Sequence, residues 1–311
     1  MQYASDDPRS SADQTKNVGV IGLGSMGFGV AASLLRAGFK VHACDVRADV
    51  LARFVALGGI AETTPAALGT QVDKLIILVV NAAQTDTVLF GENGAATALP
   101  KNAIVISSAT VAPDYAVRLG ARLEAVGLVN IDAPVSGGAI KAAAGEMTVM
   151  AAGAPDAFVR CQSVFDAIAG KLYRLGDTPG KGSTVKMINQ LLAGIHIAAA
   201  AEAMALGIKA GADPEALFEV ISNSAGSSWM FQNRVPHILA SDYTPHSAVN
   251  IFNKDLGIVL DAGRQHAFPL PLTATAQQMY LSAAAAGHGG EDDAAVIKIF
   301  PGIDLPRAKK S

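Results

Sequence analysis

The sequence has few cysteines and no excess of basic residues, and each shortage excludes a class of protein. Its 311 residues include two cysteines, Cys44 and Cys161, which are too few for a disulfide framework and have no metal-ligand spacing. We therefore expect no metal site. Lys and Arg number 24 against 27 Asp and Glu, so the net charge of -3 provides no basic footprint for nucleic acid.

Residues 1–16 lack the apolar core of a secretory signal, and we expect them to form a disordered leader of a cytoplasmic protein. Hydrophobic residues make up 50% of the chain, enough for the buried cores of one large or two medium domains. The apolar segment 191–210 contains His196, Glu202 and Lys209, so we expect a buried interdomain helix and no membrane partner. An apolar face of this length favours a subunit interface, and thus a homodimer or homotetramer.

A strand, a tight turn and a helix are predicted around residues 22–27, Gly-Leu-Gly-Ser-Met-Gly. Gly22 allows the backbone to turn, Gly24 allows a phosphate to approach, and Gly27 allows the helix to pack closely on the strand. The N–H groups at the start of that helix then face the pyrophosphate of a dinucleotide. Cofactor binding is therefore assigned to Gly22, Leu23, Gly24, Ser25, Met26 and Gly27.

An acidic residue after the second predicted strand indicates which dinucleotide binds. Asp45 follows the strand 41–44, roughly 20 residues beyond the turn, where a carboxylate meets the adenosine ribose hydroxyls. A carboxylate would repel the 2′-phosphate of NADP, although Arg47 nearby could accept that phosphate. We predict NAD as the cofactor; the alternative is an ordinary βαβ unit with a loop aspartate.

Apolar strand patterns alternate with helices in the first half of the chain and then stop. The run 75–80 is apolar throughout, which is typical of a strand buried on both faces of a parallel sheet, and Asn81 follows at its carboxyl end. Residues 147–151 are a further predicted strand, and Pro113 is expected to open a helix. From residue 181 to residue 300 the pattern is helical almost throughout, and Pro214 and Pro236 are expected to mark helix starts or breaks. The sequence therefore predicts an α/β protein, with a Rossmann doubly wound sheet over residues 17–178 joined through a long helix to an all-α domain over residues 179–305.

A polar triplet opens the helical half. Lys186, Asn189 and Gln190 have the spacing i, i+3, i+4 and share one face of a helix that is otherwise apolar. Lysine suits alcohol oxidation, because its ammonium donates a hydrogen bond and its neutral amine accepts the hydroxyl proton. A free lysine titrates near ~10.4, so a base role requires burial or a neighbouring cation. Upstream, Ser136 and the amides that follow it form a carboxylate cradle. Substrate binding is assigned to Ser136, Gly137, Gly138, Asn189 and Gln190.

Four blocks of the sequence occur in the order and at the separations of a known enzyme family: residues 22–27, 132–138, 180–190 and 254–256. In these blocks the chain resembles the β-hydroxyacid dehydrogenases, which include 3-hydroxyisobutyrate dehydrogenase and tartronate semialdehyde reductase. The resemblance implies an NAD-dependent hydroxyacid dehydrogenase with catalysis by Lys186. It further implies cofactor contacts from Asp45, Val80, Asn81, Thr110 and Lys254, although by sequence alone Lys254 is as readily a surface charge.

The chain departs from the family pattern at two places. The family usually has two asparagines where this chain has Asn189 and Gln190, and this change alters the wall that faces the substrate. The family also often has an acidic residue at the position of Ser107, and a Ser-Thr pair where this chain has Ala109 and Thr110.

A narrower resemblance within the family implies that the substrate is a four-carbon sugar acid, oxidised at its 2-hydroxyl with NAD. It rests on residues 189–194, 196–204, 228–231 and 254–259. The alternatives are a reductase of tartronate semialdehyde, a dehydrogenase of 3-hydroxyisobutyrate, and a nucleotide-binding module without catalysis. The presence of Lys186 argues against the last of these, and against an imine reductase on the same fold.

Overall fold

The computed structural model describes residues 16–306, which form two compact units that divide at Lys186, inside the longest described helix. The expected leader lies outside the described residues, apart from Lys16. The predicted domain limits, residues 17–178 and 179–305, stay a prediction. The predicted fold class is confirmed, since a parallel α/β unit precedes a helical one.

The described part of the first unit contains a parallel sheet of six strands, namely β1 (Asn17–Ile21), β2 (Lys40–Cys44), β3 (Ile60–Ala61), β4 (Lys74–Ile77), β5 (Ile104–Ser107) and β6 (Val129–Asp132). Their order, β3-β2-β1-β4-β5-β6, is that of a doubly wound dinucleotide-binding sheet. Its topological switch point lies between β1 and β4, where ligands bind in such sheets. Helices cover both faces, so Val20 and its neighbour Ile21 are buried in two different hydrophobic clusters.

The connecting helices begin at residues suited to a helix start. Pro113 occupies a first-turn position, where its missing N–H costs no hydrogen bond, and Asn81 accepts a hydrogen bond from the backbone of the helix that it precedes. These helices are α1 (Gly27–Arg36), α2 (Ala48–Ala56), α3 (Pro65–Gly69), α4 (Ala82–Phe90) and α5 (Pro113–Ala125).

A smaller sheet follows, formed by β7 (Val135–Ser136), β8 (Met147–Ala151) and β9 (Ala169–Arg174). β7 pairs antiparallel and β9 parallel with the central β8. The short helices between these strands are α6 (Gly138–Ala144), α7 (Pro155–Arg160) and α8 (Gln162–Ile168).

The helix α9 (Lys181–Lys209) begins in the first unit and continues into the second. The second unit then adds α10 (Pro214–Ser222), α11 (Trp229–Ala240), α12 (Val249–Gln265) and α13 (Pro271–Ala283), followed by a π-helical turn (Ala284–His288) and a 3-10 segment (Asp293–Ile299). Its core includes buried aromatic side chains of three helices, among them Phe231, Phe252 and Tyr280.

Two details of the sequence prediction are wrong. The strand expected over residues 75–80 ends at Ile77; the next residue, Leu78, still donates a hydrogen bond to the Ile21 carbonyl oxygen and passes close to Gly22 in the turn after β1. Pro236, expected to begin or break a helix, lies inside α11, where the buried neighbours Val235 and Ile238 anchor the helix in the core.

By length and composition, α9 is long and apolar enough to cross a membrane, with a mean hydropathy of 1.8 over its most apolar window. Within that window 39% of the residues are buried, and the core helix of a globular unit passes the same test. Both ends of the exposed face are apolar, since Val185, Ile188, Leu192 and Leu206 are 42–69% exposed.

Candidate active site

The turn between β1 and α1 places its three glycines in three different environments. Gly22 has a φ of 92°, and a Cβ there would lie 2.6 Å from the carbonyl oxygen of Leu78. A Cβ on Gly27 would overlap the carbonyl oxygen of Gly22, so α1 approaches β1 this closely only without a side chain. A Cβ on Gly24, by contrast, would meet no atom within 4 Å among the described residues. The turn therefore leaves room at Gly24 for a phosphate to contact the backbone.

Asp45, directly after β2, is hydrogen-bonded to the glycine turn. Its Oδ2 accepts a hydrogen bond from the Leu23 N–H at 2.6 Å, and its Oδ1 accepts one from Arg47 Nε at 3.1 Å. Arg47 also donates to the carbonyl oxygen of Leu23 at 2.9 Å. Burial alone would raise the pKa of Asp45, but hydrogen bonds from Arg47 and Leu23 outweigh burial and lower this pKa. Asp45 is therefore ionised at neutral pH, beside the turn that would hold the dinucleotide.

The remaining predicted cofactor residues of the first unit follow β4 and β5. Asn81 is the N-cap of α4, Val80 before it is 47% exposed, and Thr110 is a half-buried residue between β5 and α5. In the glycine turn, Ser25 is exposed and Met26 is half-buried. Because the carboxyl ends of parallel strands meet at one edge of a sheet, these residues and the glycine turn share that edge.

These features fit a bound dinucleotide. The room at Gly24 suits a phosphate, and the carboxylate held at Leu23 suits a ribose hydroxyl. Within residues 16–306, no group of three or more His, Cys, Asp or Glu side chains could hold a metal ion.

The predicted carboxylate cradle lies where β7 meets α6. Ser136 ends β7, and Gly137 and Gly138 lead into α6 with φ angles of 134° and 68°, in the region that favours glycine. The first N–H groups of a helix have no acceptor within the helix. A Cβ on Gly138 would meet no atom within 4 Å in the part of the chain that the structure describes. The segment can therefore receive a small anion from the side of Gly138.

Lys186 lies in the second turn of α9 and is 6% exposed, which is the burial that a base role requires. The start of α9 is fixed by Asp132, the last residue of β6. Asp132 Oδ2 accepts hydrogen bonds from the N–H groups of Gly180 at 2.8 Å and Ser183 at 2.9 Å, and its Oδ1 accepts one from the Ser183 hydroxyl at 2.6 Å. Burial raises the pKa of Asp132, although the hydrogen bonds from Ser183 and the helix backbone oppose this. Lys186 is three residues beyond Ser183, so both lie on one face of the helix.

A second contact fixes the same helix start. A Cβ on Gly182 would lie 2.6 Å from the carbonyl oxygen of Asp132 and would overlap that of Met150. The first turn of α9 therefore rests directly on the ends of β6 and β8. The position of Lys186 relative to these strands is therefore set by the hydrogen bonds of Asp132 and by the close packing of Gly182.

Four polar side chains of the second unit form a chain of contacts between α9 and α12. Asn189 Nδ2 donates a hydrogen bond to Gln190 Oε1 at 3.0 Å, and Gln190 Nε2 donates one to Asp255 Oδ2 at 2.5 Å. Lys254 Nζ lies 2.6 Å from the other carboxylate oxygen, Asp255 Oδ1. Gln190 and Asp255 are buried, whereas the Lys254 side chain is 22% exposed. The structure thus brings together three predicted site residues around a carboxylate that was not predicted.

Sequence analysis overlooked Asp132, Ser183 and Asp255. The sequence carried a signal for Asp255, because it falls on the face of α12 that includes the apolar Phe252 and Leu256. A carboxylate on the buried face of a helix requires a partner. Asp132 ends an apolar strand, which is a position where ligands or helix starts gather, but its partners lie 48 and 51 residues away in sequence.

Comparison with known proteins gives consistent matches over both units. Residues 17–176 match the family described as the NAD binding domain of 6-phosphogluconate dehydrogenase, and residues 180–300 match the NAD-binding family of NADP-dependent 3-hydroxyisobutyrate dehydrogenase. The chain is 63% identical to an L-threonate dehydrogenase of Cupriavidus necator, over 94% of this chain and 98% of that protein. It is 52% identical to the L-threonate dehydrogenase of Escherichia coli K12, over 94% and 97%. The crystal structure of a 3-hydroxyisobutyrate dehydrogenase from Salmonella typhimurium, 52% identical, superposes with a TM-score of 0.88 and covers 91% of this chain and 99% of that chain.

Proposed function

Because the chain belongs to the 3-hydroxyisobutyrate dehydrogenase-like family of NAD-dependent hydroxyacid dehydrogenases, we propose that it oxidises the 2-hydroxyl of L-threonate to give 2-dehydro-L-erythronate. The predictions of an NAD cofactor and of a hydroxyacid dehydrogenase are confirmed by the same matches. The observation that carries the substrate is the 63% identity, over 94% of the chain, with a protein named for it. The narrower sequence resemblance points to the same four-carbon acid.

The first unit would hold the cofactor. The glycine turn would hold the pyrophosphate, and Asp45 would accept hydrogen bonds from the adenosine ribose, with Asn81 and Thr110 along the same sheet edge. Val80 and Lys254 complete the proposed cofactor contacts. When bound, NAD supplies the hydride acceptor.

Lys186 would serve as the general base and general acid. Its neutral amine accepts the proton of the 2-hydroxyl during oxidation, and its ammonium donates that proton back in the reverse direction. Asp132 acts through the helix, since its hydrogen bonds to Ser183 hold the turn from which Lys186 extends. The substrate carboxylate would be held by Ser136 and the amides of Gly137 and Gly138. Asn189 would meet the other hydroxyls, and Gln190, predicted as a second substrate contact, would orient Asn189.

A second candidate substrate is 3-hydroxyisobutyrate, because the Salmonella typhimurium structure at 52% identity carries that enzyme name. Reduction of tartronate semialdehyde would use the same residues in the reverse direction. L-threonate would be oxidised at C2, whereas 3-hydroxyisobutyrate is oxidised and tartronate semialdehyde is reduced at C3, so relative rates on these acids distinguish the candidates.

We also propose that the protein acts as a homodimer or homotetramer in the cytoplasm, without nucleic-acid or membrane partners. The exposed apolar residues along α9, among them Leu192 and Leu206, support an interface between copies of the chain. Cys44 and Cys161 are both buried thiols, which agrees with a reducing compartment. Cell fractionation would contradict the location if the protein were recovered with membranes.

The purified protein should form NADH with L-threonate faster than with 3-hydroxyisobutyrate, D-glycerate or other small hydroxyacids. NADH absorbance follows the reaction, and the assay is repeated with NADP and, in reverse, with tartronate semialdehyde and NADH. A higher kcat/KM for 3-hydroxyisobutyrate would favour the second candidate. Absence of turnover on every acid would contradict a dehydrogenase function.

The variant Lys186→Ala should lose turnover by a factor of about 100 to 10,000, because the proton has no positioned acceptor. NAD affinity, measured by calorimetry, should be nearly unchanged. Lys181→Ala is the matched control, since Lys181 is an exposed lysine at the start of the same helix. Wild-type turnover in Lys186→Ala would remove this lysine from the mechanism.

A further inference from the structure

The hydrogen bonds from Asn189 to Gln190 and from Gln190 to Asp255 all run in one direction, from donor nitrogen to acceptor oxygen. The amide nitrogen of Gln190 donates a hydrogen bond to the carboxylate oxygen Asp255 Oδ2, 2.5 Å away. The carbonyl oxygen of Gln190 then faces Asn189, whose nitrogen donates to it at 3.0 Å. A primary amide is planar, with oxygen and nitrogen at opposite corners. The oxygen of Asn189 is therefore directed away from Gln190.

The burial of Gln190 and Asp255 stabilises the direction of these hydrogen bonds. Gln190 and Asp255 are 9% and 2% exposed, so water does not readily replace either partner. Lys254 Nζ lies 2.6 Å from the other carboxylate oxygen, Asp255 Oδ1, so Asp255 is held by contacts at both of its oxygens. The orientation of the Asn189 amide is thus determined by a carboxylate two hydrogen bonds away.

Asn189 also lies next to the proposed base. It is three residues beyond Lys186 on α9, so the two side chains occupy one face of the helix, with Cβ atoms about 5–6 Å apart. An acceptor oxygen at this position suits a hydroxyl donor on a carbon next to the one that is oxidised. A methyl or methylene group at the same place would offer this oxygen no hydrogen bond, which lowers the affinity for such an acid.

We propose, on the basis of the proposed function, that Asp255 and Gln190 are positioning residues that orient the oxygen of Asn189. This orientation selects acids that carry a further hydroxyl. Gln190, which stands where the family usually has a second asparagine, contributes to this arrangement, because the longer glutamine side chain reaches from α9 to Asp255 on α12. The ligand class is a polyhydroxylated short-chain carboxylate, with at least one hydroxyl beyond the carbon that is oxidised. Asn189 touches the substrate, whereas Gln190 and Asp255 act through it.

The test compares kcat/KM for L-threonate with kcat/KM for 2-hydroxybutyrate, which carries its hydroxyl on the same carbon but lacks the further hydroxyls, in the full-length enzyme with NAD. Gln190→Met keeps the length of the side chain and removes both hydrogen bonds. Asp255→Asn keeps the shape and lets the amides of the chain reverse. Each variant should lower the ratio of the two kcat/KM values on the order of tenfold, through a raised KM for L-threonate.

Val235→Ala is the matched control, because Val235 is a fully buried core residue of the second unit that lies on α11, not on α9 or α12. It should lower stability but leave the ratio unchanged. Thermal unfolding of all variants verifies that each is folded. An unchanged ratio in folded Gln190→Met or Asp255→Asn, or an equal fall in Val235→Ala, would overturn the inference alone. A wild-type enzyme that prefers 3-hydroxyisobutyrate would overturn the proposed function, and the inference with it.

Discussion

Two neighbouring residues, Asp45 and Arg47, act in opposite directions on the choice of cofactor. Asp45 is ionised and repels a 2′-phosphate, while Arg47 lies beside it and is occupied by Asp45 and the Leu23 carbonyl oxygen. Asp45→Ala removes the charge and releases Arg47. NAD should then bind about tenfold more weakly, and the kcat/KM with NADP should rise, as measured with both cofactors at saturating substrate.

Asp156→Ala is a suitable control for this change, because Asp156 is an exposed acid in the first turn of a different helix, α7. If the wild-type enzyme already uses both cofactors equally, the reasoning about Asp45 is wrong.

At this scale the sequence predicted residues whose role depends on local geometry, and missed those that depend on distant partners. Gly22 and Gly27 are needed within one turn of chain, so spacing alone indicates them. Asp132 contacts Ser183 across 51 residues, and Asp255 contacts Gln190 across 65. Neither partner can be read from periodicity, because the contacts exist only after the sheet and the helices have packed.

The start of α9 is the element that positions Lys186, and Asp132 is the group that holds it. Asp132→Ala would leave the N–H groups of Gly180 and Ser183 buried without an acceptor, so we expect the free energy of unfolding to fall by about 2–4 kcal/mol. Ser183→Ala removes one hydroxyl bond only and should cost about 1 kcal/mol. Urea unfolding and kcat are measured for both variants.

In Asp132→Ala, kcat should fall more than the KM rises, since the base is displaced while the carboxylate cradle at β7 is not. Asp132→Asn keeps one acceptor oxygen and should recover part of the loss in both measurements. Wild-type stability and kcat in Asp132→Ala would show that Gly182 and the surrounding packing fix the helix without the carboxylate.

The elements were predicted well where one physical cause dominates. β1, β2 and β8 follow from short apolar runs, and α5 and α10 begin at the prolines expected to open helices. The end of β4 could not be predicted, because residues 78–80 are as apolar as those before them. At this point the chain passes close to Gly22, where a Cβ would lie 2.6 Å from the Leu78 carbonyl oxygen, and sequence periodicity does not contain this close approach.

At the scale of the whole molecule, the sequence indicated two classes of unit and one apolar helix, but not what covers that helix. α9 has 29 residues and is about 43 Å long, and its exposed face carries Ile188, Leu192 and Leu206. Large apolar side chains aligned along one helix face favour association with a second copy. A homodimer or homotetramer follows as the expected state in solution.

Leu192→Glu should shift the protein toward the monomer, as measured by size-exclusion chromatography with light scattering, because a charge in an apolar interface loses its hydration without gaining a partner. In the control Val159→Glu, the substituted residue is also exposed, at 64%, but lies on α7 and should leave the oligomer intact. A monomeric wild-type protein would show that the apolar face of α9 is not an interface between copies. If Leu192→Glu and the wild type have the same mass and both exceed the monomer, the interface lies on another surface and the α9 face must be exposed within the oligomer.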